Sequence, residues 1–140
     1  MKQRFLLLMT LMVAVLTFSA CSSDDDDNNG NSNSSIVGTW YGENDDESDE
    51  FQFNADGTCT DITTELDMPS TKTRLSGTYT LNGSKLTFYW TKDEDWSSLL
   101  QTWTNSKRIS ETYTVNISVK PGKLTLSATD GSGSVTFTRK

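Results

Sequence analysis

The chain has 140 residues, with 12 Lys and Arg against 19 Asp and Glu, a formal charge of -7 and 34% apolar residues. That length accommodates one domain, and the acidic balance argues against a nucleic-acid partner, because phosphate neutralisation needs clustered basic side chains. Histidine is absent, which removes His-based acid/base catalysis, Ser-His-Asp triads and ordinary zinc sites.

Lys2 and Arg4 precede an apolar run from Phe5 to Phe18 that is broken only by Thr10 and Thr17 and followed by Ser19, Ala20 and Cys21. The run is short of the roughly 20 apolar residues that span a bilayer. Its charged start, apolar middle and small-residue exit make residues 1–20 a secretory signal peptide. Cys21, directly after the small residues, resembles the bacterial lipobox, which implies cleavage before Cys21 and a diacylglycerol thioether on its sulfur. Several acyl chains, at about 0.8 kcal/mol per buried methylene, make a stable membrane anchor.

Residues 21–35 continue with Asp24 to Asp27, Asn28, Asn29, Gly30 and a Ser/Asn-rich stretch. Low hydrophobicity and concentrated like charge make this a solvated tether. An acidic run so close to a lipidated cysteine resembles the export signal of surface lipoproteins of Gram-negative bacteria, which implies an outer-membrane, cell-surface address; the plain alternative is a spacer. Asp25, Asp27, Asn29 and Gly30 imitate the start of an EF-hand loop, but Ile36 stands where its closing Glu belongs, so no metal site is expected there. With Cys21 acylated, Cys59 has no intrachain partner and reads as a small buried hydrophobe.

The domain at 36–140 alternates apolar and polar residues with period two and is rich in Thr, Tyr, Phe, Val and Ile, which predicts strands. They fall at about 36–41, 49–54, 58–66, 73–81, 85–91, 110–119, 123–129 and 134–139. Three connections are tight: Asn54-Ala55-Asp56-Gly57, Asn82-Gly83-Ser84 and Pro121-Gly122. The alternate ones are longer: 42–48, 67–72, 92–109 and 130–133. An up-and-down meander puts the tight turns at one end and the long loops at the other, and eight strands suffice to close a small barrel without exposed edges. The expected fold is therefore an all-β, eight-stranded antiparallel barrel.

Gly38-Thr39-Trp40 near the first strand, Phe53-Asn54-Ala55-Asp56-Gly57-Thr58, and Phe137-Thr138-Arg139 in the last strand resemble the lipocalin-like (calycin-type) domains of bacterial lipoproteins. The resemblance covers nearly all of 36–140. It implies that Trp40 packs across the closed end with Arg139 stacked on it, so Gly38, Trp40 and Arg139 are assigned to barrel closure. Gly38-Thr39-Trp40-Tyr41 is also similar, more distantly, to the avidin-like barrels, in which an Asn that bonds biotin follows the Tyr; Gly42 stands there instead.

Phe51, Tyr79, Phe88, Trp90 and Tyr113 are inward candidates, suited either to a flat or apolar ligand or to filling the barrel. Trp96, Leu99, Leu100 and Trp103 fall at i, i+3, i+4 and i+7 behind Asp93, Glu94 and Asp95. This spacing predicts a short amphipathic helix between the fifth and sixth strands, serving as a lid, a partner surface or a plug. Two registers are open for the third strand: strict alternation sends Asp61, Thr63 and Glu65 inward, whereas a second bulge, the favoured alternative, exposes the acids. Asp61 and Glu65 also have the look of a glycosidase pair, but only their spacing supports it, and a non-catalytic role without cofactor is expected.

The rim carries Glu43, Asp45, Asp46, Glu47, Asp49, Asp67, Asp93, Glu94, Asp95 and Asp130 against Lys72, Lys92, Lys107 and Arg108. Such a mouth repels anions and favours a small neutral or cationic ligand. The competing expectation is a filled barrel whose rim and Trp96 to Trp103 segment dock a protein or glycan. A cavity of about 300 Å³ or more beneath the rim would favour the carrier.

Overall fold

The computed structural model describes residues 36–140; the expected signal peptide, Cys21 and the expected tether to residue 35 lie outside the described residues. Eight strands follow in chain order: β1 (Gly38–Glu43), β2 (Glu47–Phe53), β3 (Thr58–Glu65), β4 (Lys72–Asn82), β5 (Lys85–Ser97), β6 (Thr102–Lys120), β7 (Lys123–Ala128) and β8 (Ser134–Arg139). Each pairs antiparallel with the next, and β8 returns to β1, so the sheet closes into the expected up-and-down barrel. The alternation that drives closure is plain in β2, where Phe51 and Phe53 are buried and Gln52 between them is exposed. Folding any such strand into an open sheet would leave its apolar face wet, at about 1.5–3 kcal/mol for each large side chain.

One pole is sealed where the first and last strands meet. Trp40 lies opposite Arg139 in the β1–β8 pairing. The Trp40 indole is fully buried and donates its Nε1–H to the Ile36 carbonyl at 2.7 Å. The Arg139 guanidinium carbon stands 4.3 Å from the centroid of that indole, while Nη1 donates to the Val37 carbonyl at 2.9 Å. A cation over an indole face contributes about 0.5–2 kcal/mol. Gly38, at φ 135°, makes room for it, because a Cβ there would stand 2.6 Å from Arg139 Nη1.

From this pole to mid-barrel the interior is solid. Phe51 and Phe53 stack at 5.8 Å between centroids, Phe88 stacks on Trp90 at 5.0 Å, and Phe137 meets Phe51 edge-on at 5.2 Å. Leu86, Val115, Leu124 and Cys59 fill the gaps.

Two expectations are corrected. No helix joins the fifth and sixth strands: the segment continues as strand to Ser97, turns at 98–101 and re-enters strand at Thr102. The spacing of Trp96, Leu99, Leu100 and Trp103 fits a tight hairpin as well as a helix. Trp96 and Trp103 lie directly opposite in the ladder, edge-on at 5.3 Å, while Leu99 and Leu100 sit exposed in the turn. The ladder wins because it continues pairing already begun and gains a cross-strand aromatic contact. The second correction concerns β3, whose register with β2 runs without a shift from Phe53–Cys59 to Glu47–Glu65. The extra bulge is therefore absent, and Asp61 faces inward.

Candidate functional site

Toward the open end the inward face changes from aromatic to acidic. On β2 the positions in phase with Phe51 and Phe53 are Asp49 and then Glu47; on β3 Cys59 is followed by Asp61, Thr63 and Glu65. The rows continue across the barrel. Asp61 lies between Phe51 and Leu75, with Asp93 beyond, and Thr63 lies between Asp49 and Thr73, with Asp95 beyond.

Above these rows a cavity of about 620 Å³ opens, its lining including Glu47, Thr63, Glu65, Thr73, Asp95, Trp96 and Leu99. Lys72 is the basic side chain in that lining, against three carboxylates. Serine and threonine hydroxyls from 70–73 and 97–98 supply neutral donors and acceptors. Trp96 and Leu99 also border the cavity, Trp96 in phase with Glu94 on the outer face of β5 and Leu99 exposed in the turn.

Below the cavity sit two acids that water scarcely reaches: Asp49 is 4% exposed and Asp61 2%. The Thr63 hydroxyl donates to Asp49 Oδ1 at 2.8 Å. Burial raises the Asp49 pKa to about 6, against the lowering effect of that hydrogen bond, and the nearby Glu47 charge adds to the rise. Asp61 is raised well above the ordinary carboxylate value, first by burial and then by the negative charges of Asp49 and Glu47. Its Oδ1 has no hydrogen-bond partner among the described residues. A buried carboxylate in this condition is stabilised by a proton, a donor or a positive charge. Cys59, next below Asp61, is also held protonated, its pKa pushed up to about 12 by burial and by Asp61; it is a free, buried thiol.

The acid that faces the other way is fully partnered. Glu94, on the outer face, pairs with Arg74 at 2.6 Å and Lys92 at 2.8 Å. Burial pushes its pKa up, but hydrogen bonds to Lys92 and Arg74 outweigh this and lower it. Arg74 also lies over the Trp103 ring at 4.4 Å. Glu94 therefore belongs to the hairpin's structure, whereas Asp61 and Asp49 lie on the inward face with no ion pair of that kind among the described residues.

The sequence-derived ligand residues divide accordingly. Phe51, Tyr79, Phe88 and Trp90 are buried in the packed core, and Tyr113 packs against it half-buried. Trp96 borders the cavity but stands edge-on to Trp103 on the face of β5 that carries Glu94, and Asp61 lies beneath the floor. Gly42, on β1 opposite Asp49, is covered by Phe137, whose ring carbons would stand 2.7 and 2.9 Å from a Cβ there. Thr63 and Thr73 are not among the ligand candidates that the sequence suggests, and Asp49 counts there only as a rim charge. Its phase with Phe51 and Phe53 is the signal that it points inward.

Among the described residues no group of three or more Cys, Asp or Glu side chains is arranged to hold a metal ion. Comparison with protein-family models, with curated proteins and with solved structures finds no match for this chain.

Proposed function

We propose that the chain is a lipid-anchored lipoprotein, displayed at the outer-membrane surface, whose lipocalin-like barrel binds a small organic cation in its acidic mouth. The observation that carries the ligand class is the set of Glu47, Glu65 and Asp95 in the lining of a 620 Å³ cavity, with Asp49 and Asp61 on the inward face below them. The three lining carboxyl groups face a space large enough for a small molecule. Anions are repelled by the same charges. A neutral ligand would leave Asp61 Oδ1 without the positive partner that its burial favours. The sequence supports the anchor through the lipobox-like exit at Cys21 and the surface address through Asp24 to Asp27. The role is binding, with no cofactor and no catalytic step.

A second reading has its own support: the lower barrel is filled, and Leu99 and Leu100 stand 91% and 65% exposed at the hairpin tip. In that reading the rim docks a protein or glycan, and the cavity belongs to the interface. One experiment separates the two. The full chain is expressed in a Gram-negative host fed labelled palmitate, and the purified protein is examined by native mass spectrometry. Label that disappears in Cys21→Ser, together with a co-purifying small cation that dissociates at high salt, is the expected result. Folded protein carrying no small molecule counts against the carrier.

A further inference from the structure

The open pole gathers exposed apolar side chains on two turns. Leu66, Met68, Leu99 and Leu100 are four of the five large apolar side chains that stand exposed among the described residues. Leu66 and Met68 lie in the turn between β3 and β4, Leu99 and Leu100 in the turn between β5 and β6. The two turns border one cavity through Ser70, Thr71, Ser98 and Leu99. Apolar residues scattered singly over a surface are ordinary, whereas their concentration on neighbouring turns at one pole marks a contact.

The hairpin below the second turn is layered. From Trp96 to Ser106 the sequence has no charged residue, and Lys107 and Arg108 follow at once. Leu99 and Leu100 form the apex, the Trp96–Trp103 pair lies beneath them, and the exposed Lys107 and Arg108 stand lower on β6. Leucine, tryptophan and basic side chains in that order match the acyl boundary, the head-group level and the phosphates of a bilayer. Glu94, the acid on the outer face here, is neutralised by Arg74 and Lys92. The acidic turn at Glu43 to Glu47 stands across the closed barrel from β5 and β6, so a contact made through this hairpin holds it away from lipid phosphates. A protein would need a pocket shaped to so convex an apex, whereas a bilayer takes it without one. Ile36 lies at the closed pole, but a chain of the length of 21–35 spans up to about 50 Å. That exceeds the roughly 40 Å that the 13 residues of β5 cover along the strand, so an anchor at Cys21 lets the open pole reach the surface.

We propose that these turns are a second membrane contact: Leu99 and Leu100, with Met68 beside them, enter the boundary of a phosphate-bearing lipid surface, Trp96 and Trp103 lie at its head groups, and Lys107 and Arg108 meet its phosphates. The contact rests on the anchored reading above only for bringing the barrel to the surface. It lays the β3–β6 side of the mouth against the lipid.

Tryptophan fluorescence of the full chain, produced in a Gram-negative host and incorporated into vesicles of phosphatidylethanolamine and phosphatidylglycerol, tests this. All four Trp residues lie in the barrel, and Trp40 and Trp90 are sealed in its core. Quenching by lipids brominated in the upper acyl chain therefore reports on Trp96 and Trp103. Quenching is expected in the wild type. The double substitution Leu99→Ser, Leu100→Ser should remove most of it with an unchanged circular dichroism spectrum, and Lys107→Glu with Arg108→Glu should lower it about twofold or more. Flotation of the same samples separates the contact from the anchor. Protein that floats without quenching overturns the contact and leaves the anchor standing. Quenching that persists in Cys21→Ser supports the contact where the anchor fails. Quenching as strong in the double Leu variant as in the wild type, quenching in no sample, or a dimer that forms without lipid and is lost in that variant overturns the contact.

Discussion

Gly77 shows how a single missing methyl shapes the mouth. It lies on β4 opposite Trp90, where the pairing with β5 shifts by one residue between Ser76 and Gly77. A Cβ at Gly77 would stand 2.1 Å from the Tyr89 carbonyl oxygen and 3.0 Å from the Trp90 Cα. Those are backbone atoms, so they yield only if the bulge itself moves. The bulge accommodates Thr91 and thereby resets the phase of β5, putting Asp93 and Asp95 in the rows of Asp61 and Thr63. Gly77→Ala is expected to cost about 2–3 kcal/mol, at the upper end of overpacking effects, and to lower the melting temperature by about 10 °C or more. Thermal unfolding followed by circular dichroism checks this; an unchanged transition would mean that the bulge is not held by this contact.

The β5–β6 hairpin is the element that departs most from its sequence reading. Period-two alternation, the three tight turns and the placement of Gly38, Trp40 and Arg139 at the ends of the domain make eight strands in a closed meander legible. Alternation fails between 91 and 109 for a physical reason: register shifts in the β5–β6 ladder between Trp90 and Lys92, and between Asp93 and Asp95, break the period. Asn105 and Gln101 adopt positive φ of 50° and 51°, which a sequence pattern of this kind does not announce. What holds the extension is visible only in three dimensions, in the Trp96–Trp103 contact, the Arg74–Trp103 stack and the Glu94 ion pairs. Asp61 is ambiguous in the sequence for a related reason. Burial cost argues for turning it outward, whereas the uninterrupted Phe51–Asp61 register keeps it in. Trp103→Ala removes an aromatic pair of about 0.5–1.5 kcal/mol and a cation–π contact of about 0.5–1 kcal/mol. Because these contacts lie beyond the packed core, the expected result is faster amide exchange at 93–104, with protection of the core strands nearly unchanged. Uniform loss of protection throughout the barrel would mean that the hairpin and the core unfold as one unit.

The whole molecule carries the cost of its acidic interior as a dependence of stability on pH. Asp49, with an ordinary value near 3.8 and a folded value of about 6, binds its proton more tightly when folded. Asp61 is shifted in the same direction by burial, Asp49 and Glu47. The folded state therefore holds more protons than the unfolded state between about pH 4 and pH 6 and above, and stability falls as pH rises through that window. For Asp49 alone the shift corresponds to about 3 kcal/mol at 1.36 kcal/mol per pH unit, and its 4% exposure leaves little room for solvent screening. Glu94 has the opposite sign: its lowered pKa contributes stability above the ordinary glutamate value that is lost as pH falls through the folded one. The Cys59 thiol, at about 12, enters only in strong alkali. The two opposing trends place the maximum near pH 4, between the ordinary values of the two groups, and the melting temperature is expected to be higher at pH 5 than at pH 8. Asp49→Asn keeps an oxygen for the Thr63 hydroxyl and removes the buried charge, so it should raise stability most at pH 8, by about half as much at pH 5, and hardly at all below about pH 4. A melting temperature that is flat or rises between pH 5 and pH 8 would mean that the two acids ionise at ordinary values. The barrel floor would then already satisfy their charge, leaving a bound cation no such charge to neutralise there.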